Sequence, residues 1–295
     1  MGNFLEHLRT RVLVADGAMG TELMMKGLPA GACPEEWNVS HPEAILAIHE
    51  AYVQAGADIL LTNTFGSNRL KLEAYGMGGR VEEICRRGAA LARKAGGMGR
   101  IVLGDIGPTG QLMAPFGLLP FEDFEKTFAE TARALAEGGV DGIIIETMMD
   151  VEEARAAVRA AKETNLPVVL CMIFNRDNVG GGYHTAMGVD PAAMAHTMEE
   201  EGADVVGANC GMGIVEMIPL IREIRAHVDL PIMAEPNAGL PRLEGGRTVY
   251  RESAEEMASH AGEMLAAGAN ILGGCCGTTA EHIRKIAETM KRAKT

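Results

Sequence analysis

The 295-residue chain has a formal net charge of −13 and no basic cluster, which argues against nucleic acid and anionic membranes as partners. Hydrophobic residues make up 47% of it and aromatic residues only 4%, the balance of a parallel α/β core built from Ala, Val, Ile, Leu and Met. No apolar run approaches the ~20 residues of a membrane span, residues 1–10 lack the apolar segment of a secretion signal, and six scattered cysteines suit the reduced thiols or metal site of a cytoplasmic protein better than a disulfide framework.

In chain order, the pattern predicts strands over residues 12–18, 58–65, 100–103 running into Gly104-Asp105-Ile106, 141–146, 167–174, 204–209, 231–234 and 269–272. Helical periodicity follows each strand, over residues 42–54, 80–94, 121–137, 151–164, 191–201, 214–227 and 253–267, and from about Thr279 to the end. A short form recurs four times: Ala55-Gly56-Ala57-Asp58, Gly138-Gly139-Val140-Asp141, Glu201-Gly202-Ala203-Asp204 and Ala267-Gly268-Ala269-Asn270. In each, a glycine ends a helix and one polar residue precedes a strand. Eight strand–helix units in just under 300 residues predict a single (β/α)8 barrel spanning residues 1–295 as one domain. The competing fold is an open, doubly wound sheet.

In such a barrel the chemistry sits at the C-terminal ends of the strands. Polar residues fall there: Asp16 after strand one, Asn63 and Thr64 after two, Asp105 after three, Glu146 after four, Glu235 and Asn237 after seven. Cys210 follows strand six, and Gly273-Gly274-Cys275-Cys276-Gly277-Thr278 follows strand eight. Adjacent cysteines in an extended strand would face opposite ways; the flanking glycines permit the sharp turn that lets them act together. Strands six, seven and eight are neighbours, so the three thiols can converge and bind a metal, zinc above all, leaving a fourth position open. A vicinal disulfide, or two unrelated buried thiols, is the alternative. A zinc centre with three thiolates is a poor activator of water but suits a substrate thiol, whose pKa of ~8.5 it would lower, and this is the chemistry of thiol alkylation. Cys33, Cys85 and Cys171 read as small buried hydrophobes, Met24-Met25 and Met148-Met149 as gap-filling core, Asp150 as a helix cap and His184 as solvent-facing.

These motifs resemble one family over nearly the whole chain. Asp16-Gly17-Ala18-Met19-Gly20-Thr21-Glu22, Leu61-Thr62-Asn63-Thr64-Phe65-Gly66, Gly104-Asp105-Ile106-Gly107-Pro108-Thr109-Gly110, Glu235-Pro236-Asn237-Ala238-Gly239 and the Gly-Gly-Cys-Cys-Gly-Thr stretch are similar to those of the zinc-dependent homocysteine S-methyltransferases. They look most like the homocysteine-binding module of cobalamin-dependent methionine synthase. The resemblance implies zinc on Cys210, Cys275 and Cys276, with Asn237 in the fourth position until the substrate thiol displaces it. It implies that Asp16, the Gly17–Ala18 backbone, Asn63 and Glu146 surround the amino-acid end of homocysteine. The sequence stops after the eighth helix, so methylcobalamin on a separate corrinoid protein is the expected methyl donor. S-Methylmethionine or betaine is the alternative donor, and a non-catalytic zinc or thiol amino-acid binding module the alternative class. One departure stands in the loop Gly180-Gly181-Gly182-Tyr183-His184-Thr185-Ala186-Met187-Gly188, where Met187 replaces a hydroxyl residue usual in methionine synthases.

Overall fold

A computed structural model describes residues 4–177, 181–245 and 247–292; Met1, which opens the N-terminal stretch read above, and Gly180 lie outside them. All eight expected strands form: β1 (Leu13–Val14), β2 (Ile59–Leu61), β3 (Ile101–Ile106), β4 (Gly142–Met148), β5 (Val168–Met172), β6 (Val205–Gly213), β7 (Ile232–Asn237) and β8 (Ile271–Leu272). Each ladder between neighbours is parallel, in the order β1-β8-β7-β6-β5-β4-β3-β2. A parallel bridge between Ala15 and Ile59 joins the two ends of that order. The sheet is therefore a (β/α)8 barrel and not an open doubly wound sheet.

The barrel helices are α1 (Pro42–Ala55), α2 (Val81–Gly96), α3 (Phe121–Glu137), α4 (Val151–Lys162), α5 (Pro191–Glu200), α6 (Ile214–Arg225), α7 (Ala254–Ser259, continued by Ala261–Ala266) and α8 (Ala280–Arg292). The expected continuous helix over 253–267 is interrupted at His260. Strands one, two and eight are shorter than expected. Asp150 caps α4 as expected, accepting from Glu152 N.

The fourfold sequence echo has a physical cause. Asp58, Asp141, Asp204 and Asn270 each accept, through the side chain, one backbone N–H of the preceding strand: Val14 N at 3.0 Å, Val102 N at 2.8 Å, Val168 N at 2.8 Å and Ile232 N at 2.9 Å. Each also donates its own N–H to the carbonyl of the same residue, at 2.7 to 2.8 Å. A cation reinforces each bracket: Arg11, Arg93, Lys162 and Arg225 respectively. The glycine two residues earlier sits at positive φ in all four (Gly56 104°, Gly139 84°, Gly202 83°, Gly268 115°), which L side chains rarely adopt. Strands are thereby clamped in pairs at the face opposite the strand C-termini. Asp204→Ala is expected to cost about 1–3 kcal/mol, the penalty for leaving Val168 N–H without its acceptor. Urea unfolding should show this loss with the thiol chemistry of the far face unchanged.

Inside the barrel, Leu13, Ala15, Ile59, Leu103, Ile144, Val169, Val205, Met233 and Ile271 form one buried cluster. Phe4 and Leu8, on an N-terminal helix (Phe4–Thr10), belong to the same cluster and close the bottom of the barrel. Strand side chains alternate with period two. Two residues on from Leu103, Ile144 and Met233 stand Asp105, Glu146 and Glu235, so the inward file turns from apolar to acidic as it approaches the C-terminal face.

Candidate active site

A cavity of about 280 Å³ opens at that face. Cys210, Cys275 and Cys276 line it together with Asp16, Glu35, Asp105, Glu146 and Glu235. None of its lining residues is Lys, Arg or His.

The sulfur side depends on backbone shape. The β6–β7 ladder shifts register between Asn209 and Gly213, and Cys210 sits in the bulge at φ 59°. After β8, Cys275 N donates to Pro236 O at 2.8 Å and Ala238 N donates to Cys276 O at 3.0 Å, which ties the cysteine turn to the end of β7. The glycines are steric necessities. A Cβ on Gly274 would lie 2.6 Å from Thr278 Oγ1, and one on Gly273 would lie 2.8 Å from the Ala15 Cβ.

All six cysteines are free. The ligand atoms of Cys210, Cys275 and Cys276 lie within 4.8 Å of one another, a group able to hold a metal ion. Cys210 Sγ and Cys276 Sγ are 3.9 Å apart; two thiolates on a tetrahedral ion at ~2.3 Å would stand ~3.8 Å apart. Asn237 does not line the cavity. It is 3% exposed, its Oδ1 has no hydrogen-bond partner, and its amide N–H supports the Cys210 sulfur. Three sulfurs this close, with a partnerless buried carboxamide near one of them, are groups that fit a metal. Hydrogen bonds from the Cys275 and Cys276 thiols lower the Cys210 pKa to about 3. Holding those protons pushes Cys276 up to about 11 and Cys275 well above the ordinary range.

On the acidic side, Asp16 is 3% exposed, and its Oδ2 accepts from Leu61 N at 3.0 Å, across the seam where the barrel closes. Glu146 Oε2 accepts from Asn209 Nδ2 at 2.6 Å. Asp105 Oδ1 and Glu235 Oε2 are buried without partners. Burial is the main reason that Asp16, Asp105 and Glu235 all have pKa values well above the carboxylate norm. Burial, then the Cys210 charge, raises Glu146 from 4.5 to about 7. A carboxyl with a raised folded-state pKa contributes stability that is complete below its unfolded value and is lost as pH rises through the folded value. Glu146→Gln is therefore expected to gain stability relative to the parent protein between pH 4.5 and about pH 7, by up to roughly 2–3 kcal/mol. Denaturant titrations of both proteins across that range measure it, and a pH-independent difference contradicts it.

The other expected substrate residues are placed less simply. Ala18 N donates to Thr278 Oγ1 at 3.1 Å, so Thr278 already takes half of the Gly17–Ala18 pair. Asn63 Nδ2 donates to Pro34 O at 2.9 Å and to Asn38 Oδ1 at 3.0 Å, so Asn63 offers the cavity an acceptor. Met187 is 42% exposed and absent from the cavity wall. Met148 is buried as expected, but Met149 is 40% exposed, and Met24 and Met25 are 64% and 78% exposed and fill no core gap, because the short helix Gly20–Met25 turns only Leu23 inward. His184 is paired with Asp177 at 2.8 Å. Sequence reasoning missed Glu35, which holds Gly66 N at 2.7 Å, and Asn209. The position of Asn209 one residue before a candidate ligand was the available signal.

A family model described as homocysteine S-methyltransferase matches residues 13–290. The chain belongs to the homocysteine S-methyltransferase family. It is 33% identical over 311 residues to methionine synthase of Mycobacterium tuberculosis, covering 99% of this chain and 26% of that protein. Methionine synthase of Mycobacterium leprae is 32% identical over 309 residues, covering 98% and 25%. The chain thus spans about a quarter of the length of the curated relatives it matches. Among solved structures, the metallated form of the homocysteine methyltransferase MmuM from Escherichia coli superposes with a TM-score of 0.79 at 21% identity, covering 95% of this chain and 96% of that one. That likeness bears on the fold. Among the described residues no helix is long and apolar enough to cross a membrane.

Proposed function

We propose that residues 1–295 act as one homocysteine-binding domain, in which Cys210, Cys275 and Cys276, with Asn237 as the exchangeable fourth donor, hold zinc. The domain methylates the homocysteine thiol to give methionine. The observation that carries this reading is one cavity lined both by three thiols and by several buried carboxyl groups, with no Lys, Arg or His in its lining. That pairing suits a small molecule with a thiol at one end and an ammonium at the other. Three thiolates favour a soft ion of tetrahedral preference, and zinc bound there would lower the substrate thiol's pKa while leaving its sulfur nucleophilic.

The protein's own groups do the rest. Asp16 keeps Oδ1 available while Oδ2 is bound to Leu61 N, and Glu146 is oriented by Asn209, so both can accept N–H bonds from the substrate ammonium. Asn63 adds an acceptor, and the Gly17 backbone turns a donor toward the substrate carboxylate. An incoming ammonium neutralises the crowded carboxyls and favours their charged form. Leu61, Phe65 and Gly274 complete the cavity wall.

Methylcobalamin on a separate corrinoid protein is the donor we favour, supported by identity to methionine synthases along almost the whole chain. Turnover with free S-methylmethionine or betaine at the rate given by a methylated corrinoid protein would replace it with a small-molecule donor. Six free cysteines suit the reducing cytoplasm as the place of work.

The decisive experiment is metal analysis of the purified, reduced protein, with zinc edge absorption recorded before and after homocysteine is added. One zinc per chain is expected, changing from three sulfurs and one light atom to four sulfurs. Zinc that is absent, or indifferent to homocysteine, removes the mechanism.

A further inference from the structure

Three non-glycine residues among those described have positive φ, and two of them, Thr147 (60°) and Cys210 (59°), line the cavity. Left-handed backbone is strained for a β-branched residue such as Thr147, and persists only where the surroundings over-determine it. Both residues sit where the sheet loses register: between Ile145 and Met148 in the β4–β5 ladder, and between Asn209 and Gly213 in the β6–β7 ladder. Bulges of this kind re-aim side chains. One re-aims Glu146, the other Cys210.

A single side chain connects the two. Asn209 is 0% exposed. Its Oδ1 accepts from Thr147 N at 2.8 Å, and its Nδ2 donates to Thr147 Oγ1 at 2.7 Å and to Glu146 Oε2 at 2.6 Å. Strand β5 lies between β4 and β6 in the sheet, so these bonds pass over the end of β5. No backbone ladder joins the two bulges directly. The amide uses its acceptor and both donors on one target, the Glu146–Thr147 turn, while its own backbone leads directly into Cys210.

We propose that Asn209 is a positioning residue that fixes the separation between the Glu146 carboxylate and the Cys210 sulfur, and so sets the length of amino-acid thiol that the site accepts. The inference rests on the homocysteine reading above. A ligand held at its ammonium and at its sulfur spans a fixed distance, and cysteine is one methylene too short for a site built for homocysteine. Loosening the Glu146 end lets the carboxylate follow the shorter ligand.

The test compares homocysteine with cysteine by calorimetric titration of the zinc-loaded full chain. The parent protein is expected to prefer homocysteine by at least ~10-fold, the low end of what one methylene is worth in a shaped pocket. In Asn209→Ala the preference should fall to within about threefold, with one zinc per chain retained. A merely structural role would weaken both ligands equally and leave the ratio unchanged. If Asn209→Ala does not fold, the double variant Asn209→Ala with Thr147→Gly replaces it, since glycine takes φ near 60° without strain. An unchanged ratio in the folded variant, a parent protein that binds both thiols alike, or loss of zinc from both variants overturns the inference and leaves the homocysteine reading standing. A parent protein that binds neither thiol takes both down.

Discussion

Replacing Cys276 with alanine is expected to strip zinc from the protein while the barrel stays folded. The backbone around Cys276 is held through its carbonyl, which accepts from Ala238 N at 3.0 Å, and alanine preserves that bond. The sulfur is half-buried at the cavity wall and belongs to neither core cluster. Its removal should change unfolding free energy by less than about 1 kcal/mol. The metal loses far more. Removing even an outer-shell partner costs roughly 10–100-fold in affinity, and a direct ligand defines the coordination number, so a larger loss is expected. Zinc content after dialysis against a weak chelator, alongside the thermal melt of the metal-free form, separates the two effects. Zinc equal to that of the parent protein would show that Cys276 is not a ligand. A collapsed melt would show that the cysteine turn is part of the barrel's stability.

Glu146→Gln should have the second-largest effect, and it acts on the substrate. The glutamine oxygen can still accept from Asn209 Nδ2, so the shape of the cavity is kept while one negative charge is removed. A hydrogen bond to a charged group is worth about 1.5–3 kcal/mol, so homocysteine affinity should fall by roughly 10- to 100-fold. Zinc content should not move. The same variant is expected to be the more stable protein near neutral pH, because the parent's raised carboxyl pKa opposes folding there. Weaker binding together with higher stability is the signature of a carboxylate buried for a ligand. Unchanged homocysteine affinity would assign the ammonium to other carboxyls, with Asp105 and Glu235 next in line because each buries an oxygen without a partner.

Much of this was legible in the chain itself, because the signals are local. A helix ends where a glycine can adopt positive φ, and an acceptor two residues later brackets the neighbouring strand; that form, repeated four times, marks four of the eight strand–helix units without reference to the third dimension. The glycines flanking Cys275-Cys276 signal a sharp turn; Gly277 takes positive φ there (81°), while Gly273 and Gly274 are required by close packing, as the clash distances show. The convergence of Cys210 with Cys275 and Cys276 followed from barrel order alone, since β6, β7 and β8 are neighbours in any such barrel.

What only the tertiary structure decided depends on contacts between segments that carry no mark of each other. The N-terminal helix reads as nothing in particular, yet Phe4 and Leu8 close the barrel floor. Met24 and Met25 look like core filler, but one short helix turns them outward. Asp16 reads as a polar residue at the end of strand one and proves to bond Leu61 N across the closing seam, 45 residues away. Asn209 reads as the last residue of a strand and proves to hold Glu146 and Thr147 across an intervening strand. A side chain's burial, its partners and the charges around it are set by segments distant in sequence, so the residue types were present in the chain from the start while their roles arose only when the barrel closed.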